Sequence, residues 1–92
     1  MNTIENNKII AQFLEISHQK IAMNFHSNWN ILMDVVEKIE SLGFFFEIKR
    51  NWVRITKKRE IIVIRWEQDK YKIEATYNAC VEFIKWYNQN KI

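Results

Sequence analysis

Phe44 to Trp66 reads FFFEIKRNWVRITKKREIIVIRW, and this stretch decides the fold. It breaks into three short runs, FFFEIKR, WVRIT and EIIVIRW. Each alternates with the period of two expected of a half-buried strand. Phe44 to Arg50 is the first strand, with Phe44, Phe46 and Ile48 on one face and Phe45, Glu47 and Lys49 on the other. Trp52 to Lys57 is the second, with Val53 and Ile55 opposed to Trp52, Arg54 and Thr56. Glu60 to Glu67 is the third, with Ile62, Ile64 and Trp66 opposed to Ile61, Val63 and Arg65. Arg50–Asn51 makes a tight first link, since Asn tolerates a positive φ. Lys57, Lys58 and Arg59 make the second turn.

Helical patterns flank the strands. Thr3 to Ser17 carries Ile9, Ile10, Phe13, Leu14 and Ile16 near helical spacing, with Thr3 as the N-cap candidate. Residues 18–26 form a connector in which Ile21, Met23 and Phe25 alternate. Ser27 to Leu42 is an amphipathic helix with Trp29, Leu32, Met33, Val36 and Ile39 on its apolar face. Ser27 or Asn28 caps its start, and Gly43, the only glycine, follows its last turn as a left-handed residue would. After a polar turn at 68–72, Ile73 to Asn90 forms the last helix. Its stripe of Ile73, Tyr77, Cys80, Val81 and Ile84 is widened by Ala79, Phe83 and Trp86, which implies contacts on more than one side. The expected fold is α+β: a three-stranded antiparallel sheet against helices, in the order α-α-β-β-β-α, with residues 1–92 forming one domain.

Charge concentrates in the strands. The net charge is +3. Between Phe44 and Arg65 stand seven cations against Glu47 and Glu60, while the rest of the chain has seven cations against nine anions. With the first face of each strand turned to the helices, the opposite face carries Phe45, Lys49, Trp52, Arg54, Ile61, Val63 and Arg65. Such a face is apolar and basic together. Either the N-terminal helix covers it, or it is an exposed binding patch. The candidate partner-binding residues are Lys49, Arg50, Trp52, Arg54, Lys57, Lys58, Arg59 and Arg65.

Other chemistry finds little support. The single Cys lies inside an apolar stripe, as a small buried hydrophobe would. His18 and His26 have no convergent ligands around them, and no spacing fits zinc. Glu37 and Glu40 belong to a solvated helix face. No triad, metal constellation or phosphate loop appears, so neither catalysis, a cofactor nor a small-molecule substrate is expected. The N-terminus lacks the pattern of a secretory signal, no apolar run approaches the length of a bilayer span, and a reducing cytosol is the expected setting.

Two segments carry a resemblance. Trp29-Asn30-Ile31-Leu32-Met33 leads into Val35-Val36-Glu37-Lys38-Ile39-Glu40, and Lys72-Ile73-Glu74-Ala75-Thr76-Tyr77-Asn78-Ala79 leads into Val81-Glu82-Phe83-Ile84-Lys85-Trp86-Tyr87-Asn88. With strands between them, they resemble a group of short proteins encoded in phages and prophages of Bacteroidota. The resemblance covers both main helices, about half of the chain, and not the strands or the N-terminus. That group has no assigned chemistry, so no site residue carries over. The resemblance implies a viral interaction protein of the bacterial cytosol, similar to anti-CRISPR inhibitors of type VI-B RNA-guided RNases. The implied partner is a host CRISPR effector, alone or with its guide RNA. The residues also allow a second reading, a module that stacks single-stranded nucleic acid on Phe45 and Trp52 and meets phosphates with Lys49, Arg54 and Arg65.

Overall fold

The structure is a computed structural model describing residues 3–14, 25, 28–49, 52–58, 60–66 and 72–90, with the side chains of Thr3, Arg65 and Trp66 outside that description. It has the expected order of elements. Helix α1 spans Thr3–Leu14 and α2 Trp29–Ser41; strands β1, β2 and β3 span Phe45–Ile48, Trp52–Lys57 and Glu60–Trp66; helix α3 spans Lys72–Asn90. The strands form one antiparallel meander in the order β1-β2-β3. The connector at 18–24, His18, His26 and the Ser27 cap lie outside the described residues.

Local chemistry sets the element ends. Asn28 is the N-cap of α2, extended at φ −128°, and its Oδ1 accepts from the Asn30 N–H at 2.9 Å. At the other end Gly43 takes φ +97° and donates its N–H to the Glu40 carbonyl at 3.0 Å. A side chain at that φ would strain the backbone, and this explains the sole glycine. Lys58 opens the connection between β2 and β3 at φ +57°. Only two residues separate these strands, and such short hairpin loops demand a positive φ to follow the sheet twist.

The helices lie on one face of the sheet. Helix α3 crosses β2 and β3, α2 lies against β1, and α1 rests on α3 and α2. The core takes Leu32, Val35, Val36 and Ile39 from α2, Val53 and Ile55 from β2, and Ala79, Cys80, Phe83 and Ile84 from α3. Phe83 is its hub. Phe44 meets it edge-on at 4.8 Å between centroids and Phe13 of α1 does so at 6.2 Å. Such aromatic pairs add about 0.5–1.5 kcal/mol each beyond the area they bury. Helix α3 therefore serves two neighbours, the sheet and α1, and this accounts for its broad apolar face. The buried stripe of α2 is turned slightly from the expected one: Val35 is fully buried and Trp29, in the first turn, is exposed.

One expectation about the sheet is corrected. The alternation of β3 places Ile62 and Ile64 toward the helices and Val63 away from them. In the structure Val63 is buried at 6% exposure and Ile64 is exposed at 37%. The cause is a register shift: Ile55 stands opposite Val63 while the next residue, Thr56, stands opposite Ile61. Ile62 is thus an extra residue, and an extra residue in a strand turns everything beyond it to the other face. Ile61 stays on the outer face, Val63 turns inward opposite Ile55, and Ile64 turns outward opposite Arg54. Arg65, expected on the outer face, stands opposite Val53 on the helix side of the register.

Candidate functional site: the outer face of the sheet

Among the described residues, no element packs across the face of the sheet away from the helices. Helix α1 packs on α3 and α2 rather than across it, so the covering role allowed for that helix is not the one it takes. The register builds the face in rows. Phe45, Thr56 and Ile61 form one row across the three strands, and Glu47, Arg54 and Ile64 form the next. Phe45 is 63% exposed and Ile61 52%. Together with Ile64 they leave large apolar side chains in water on β1 and β3, on both sides of β2, a feature that a sheet face rarely carries without use.

A polar device sits at the centre. The Arg54 guanidinium donates through Nε and Nη2 to Glu47 Oε1, at 3.1 and 2.8 Å. The same guanidinium lies over the Trp52 ring, 4.8 Å from its centroid. Glu47 and Arg54 are directly opposed across β1 and β2, the closest placement that an antiparallel pair offers. Both side chains are half-buried, so the pair contributes modestly to stability, about 0–1 kcal/mol. Its larger effect is on the surface. It holds Arg54 and Trp52 in one arrangement and leaves little net charge between the apolar side chains.

The candidate binding residues do not form one patch. Trp52 and Arg54 come together as described. Lys49 is exposed in the connection between β1 and β2, where its N–H donates to the Trp52 carbonyl at 2.8 Å. Lys57 and Lys58 lie at the other end of β2, about 17 Å away for a six-residue strand. Lys57 Nζ sits 4.9 Å from the centroid of Phe44, itself a core ring, so Lys57 caps the helix side of the sheet. Arg50, Arg59 and the side chain of Arg65 lie outside the described residues. Charges that are consecutive in a meander alternate between its two ends, and a count along the chain merges them.

Phe45, Ile61 and Ile64 are the side chains that a list of cations and tryptophan passes over. Phe45 and Ile61 were legible, because they run out of phase with the core residues of their own strands. Ile64 was not, because its face depends on the extra residue at Ile62.

Cys80 is fully buried, and burial pushes its thiol pKa well above the ordinary range, which leaves no thiolate for nucleophilic attack. Among the described residues, no group of three or more His, Cys, Asp or Glu side chains could hold a metal ion. No helix among them is long and apolar enough to cross a membrane. Compared with known proteins, the chain matches no family model, no curated protein and no solved structure.

Proposed function

We propose that this protein is an interaction module that docks the outer face of its sheet onto a protein, and that the partner is a CRISPR effector of type VI-B, an RNA-guided RNase, which it inhibits. The choice of effector rests on the resemblance of the two main helices to phage proteins of Bacteroidota. The docking surface rests on one observation, the exposure of Phe45, Ile61 and Ile64 around the paired Glu47 and Arg54. An apolar centre with aromatic side chains and an arginine matches the surface that protein partners bury, where aromatic residues and Arg are enriched. Trp52 and Arg54 belong to the residue types that dominate such contacts.

The same features favour a protein over bare RNA. A single-strand binder needs free cations along a stacking platform. Among the described residues Arg54 is engaged by Glu47, and Lys49 and Lys58 stand at opposite ends of the strand.

The test uses purified type VI-B effector charged with guide RNA. Target-triggered RNA cleavage is followed with increasing amounts of this protein, and binding is measured in parallel. Inhibition is expected, and Phe45→Glu is expected to weaken binding at least about 30-fold, the effect of losing about 2 kcal/mol at a hot spot. Lys85→Glu, exposed on helix α3 on the opposite side of the sheet, is expected to change it little. Circular dichroism shows whether each variant keeps its fold. Full inhibition by a folded Phe45→Glu variant overturns the docking face. Unimpaired cleavage with saturating wild-type protein overturns the choice of effector. Binding to guide RNA alone, steeply weakened by salt, transfers the function to nucleic acid.

A further inference from the structure

The outer face carries two kinds of side chain that favour different partners. Trp52, Arg54 and the exposed Phe45 and Lys49 are residue types with which proteins hold single-stranded nucleic acid, rings for bases and cations for phosphates. Against them stands one carboxylate. Among the described residues Glu47 is the only anion that the register places on this face, because Glu60, opposite Lys57, falls one position beyond the outer row of Thr56 and Ile61. Glu47 also acts on the central cation. Its Oε1 accepts from both Nε and Nη2 of Arg54, the shorter contact at 2.8 Å, and the guanidinium so held covers one side of the Trp52 ring.

We propose that Glu47 is the specificity-determining residue of this face: it keeps single-stranded RNA off, and admits a protein surface that is uncharged and apolar at its centre. The proposal rests on the docking face described above and names the kind of surface that face takes. A phosphate within hydrogen-bond reach of Arg54 stands close to the Glu47 carboxylate, inside the screening length of about 8 Å at physiological salt. Repulsion from Glu47 then offsets the attraction of the guanidinium. One side of the ring on which a base would stack is taken by the same guanidinium. A protein surface meets the opposite balance. Closing over Arg54 alone would bury a lone charge, whereas closing over the pair buries both members together. Leaving one member of a buried pair without the other costs far more than keeping both. Phe45, Ile61 and Ile64 around the pair then offer apolar area to an apolar partner.

The test uses the intact chain and a fluorescent oligouridine of about 12 nucleotides, within the span of small single-strand modules. Binding is read by anisotropy at about 20 mM and about 200 mM salt. Wild type is expected to bind weakly. Glu47→Gln keeps the shape and removes the charge, which releases Arg54 for one phosphate. One further phosphate contact on a single strand tightens binding about tenfold at the lower salt and about threefold at the higher, and that gain is expected. Glu47→Thr, a good strand residue, is expected to show the same gain by a second route. Glu47→Asp keeps the charge and is expected to stay near wild type. Adding Arg54→Gln to Glu47→Gln is expected to abolish the gain. Glu40→Gln makes the same change in net charge at an exposed position of α2, on the helix side of the sheet, and is expected to gain little. Circular dichroism shows whether each variant keeps its fold. A folded Glu47→Gln variant without the gain overturns the proposal. So does an equal gain in Glu40→Gln, a gain that survives the loss of Arg54, or a wild type that binds as tightly as Glu47→Gln. In the effector assay Glu47→Gln is expected to weaken binding at least about tenfold, since docking then buries Arg54 without its countercharge. Unchanged or tighter binding there overturns the uncharged partner surface. The RNA titration needs no effector, so failed inhibition by wild type beside a full gain in Glu47→Gln overturns the choice of effector and supports the role of Glu47.

Discussion

Lysine placed at Val63 and at Ile64 measures which way the end of β3 faces. Val63 is buried opposite Ile55, and Ile64 is open to water opposite Arg54. Val63→Lys removes an apolar side chain from the core, a loss of about 1.5–3 kcal/mol. It also asks an ammonium to leave water or to distort the sheet to stay in it, at several kcal/mol more. A chain of 92 residues has roughly 5–14 kcal/mol of total stability, so Val63→Lys is expected to leave little or none of it. Ile64→Lys gives up part of a half-covered side chain. The lysine stem recovers some of that cover while its head stays wet, and the net cost is about 1 kcal/mol. Urea unfolding followed by circular dichroism reads both. Ile64→Lys is expected to unfold cooperatively with an unchanged m-value and a slightly lower midpoint, and Val63→Lys to lack a native baseline. The reverse order, with Val63→Lys native-like and Ile64→Lys unfolded, would refute the extra residue at Ile62. It would also return β3 to unbroken alternation, and remove Ile64 from the docking face.

Two further outcomes test the core. Thr76 is fully buried, and its hydroxyl has no hydrogen-bond partner among the described residues. An unpaired buried hydroxyl costs about 1–3 kcal/mol, so Thr76→Val, which exchanges it for a methyl, is expected to raise stability by about 1 kcal/mol. In a chain of this size that is a rise in Tm of roughly 4–8 °C by calorimetry, and a fall in Tm would sink the reading. Tyr77 is buried with its hydroxyl donating to Asn7 Oδ1 at 2.9 Å, and burial raises its pKa from 10.0 to about 12. The folded chain holds this proton more tightly than the unfolded chain. Stability from this group is therefore complete below about pH 10 and falls as pH rises toward 12, by roughly 3 kcal/mol in all. Tyr77→Phe removes that alkaline slope, and equal slopes in wild type and variant between pH 10 and 12 would contradict it.

Much of the fold is legible in the sequence. Strand and helix periods, the Asn28 cap and the single glycine are local signals, because each depends on residues within one or two turns of chain. Gly43 is the clearest case, since a helix end that needs a positive φ has few other residues to choose from. The core role of Cys80 was legible too, as its stripe is continuous. The site was legible in part. Trp52 and Arg54 share a face by strand period alone, and Phe45 and Ile61 fall out of phase with the core.

Sequence by itself thus determined the elements, their order and much of the residue content of the outer face. Tertiary structure decided three things that no local pattern holds. It set α1 on α3 and α2, while Phe45 and Ile61 of the outer face stay exposed. It separated Lys49 from Lys57 and Lys58, because successive turns of a meander lie at opposite ends of the sheet. It turned Val63 inward and Ile64 outward, because EIIVIRW is apolar at every position from Ile61 to Ile64 and alternation cannot show where one residue is extra. Only the pairing with β2 shows it, and pairing is a relation between segments distant in the chain.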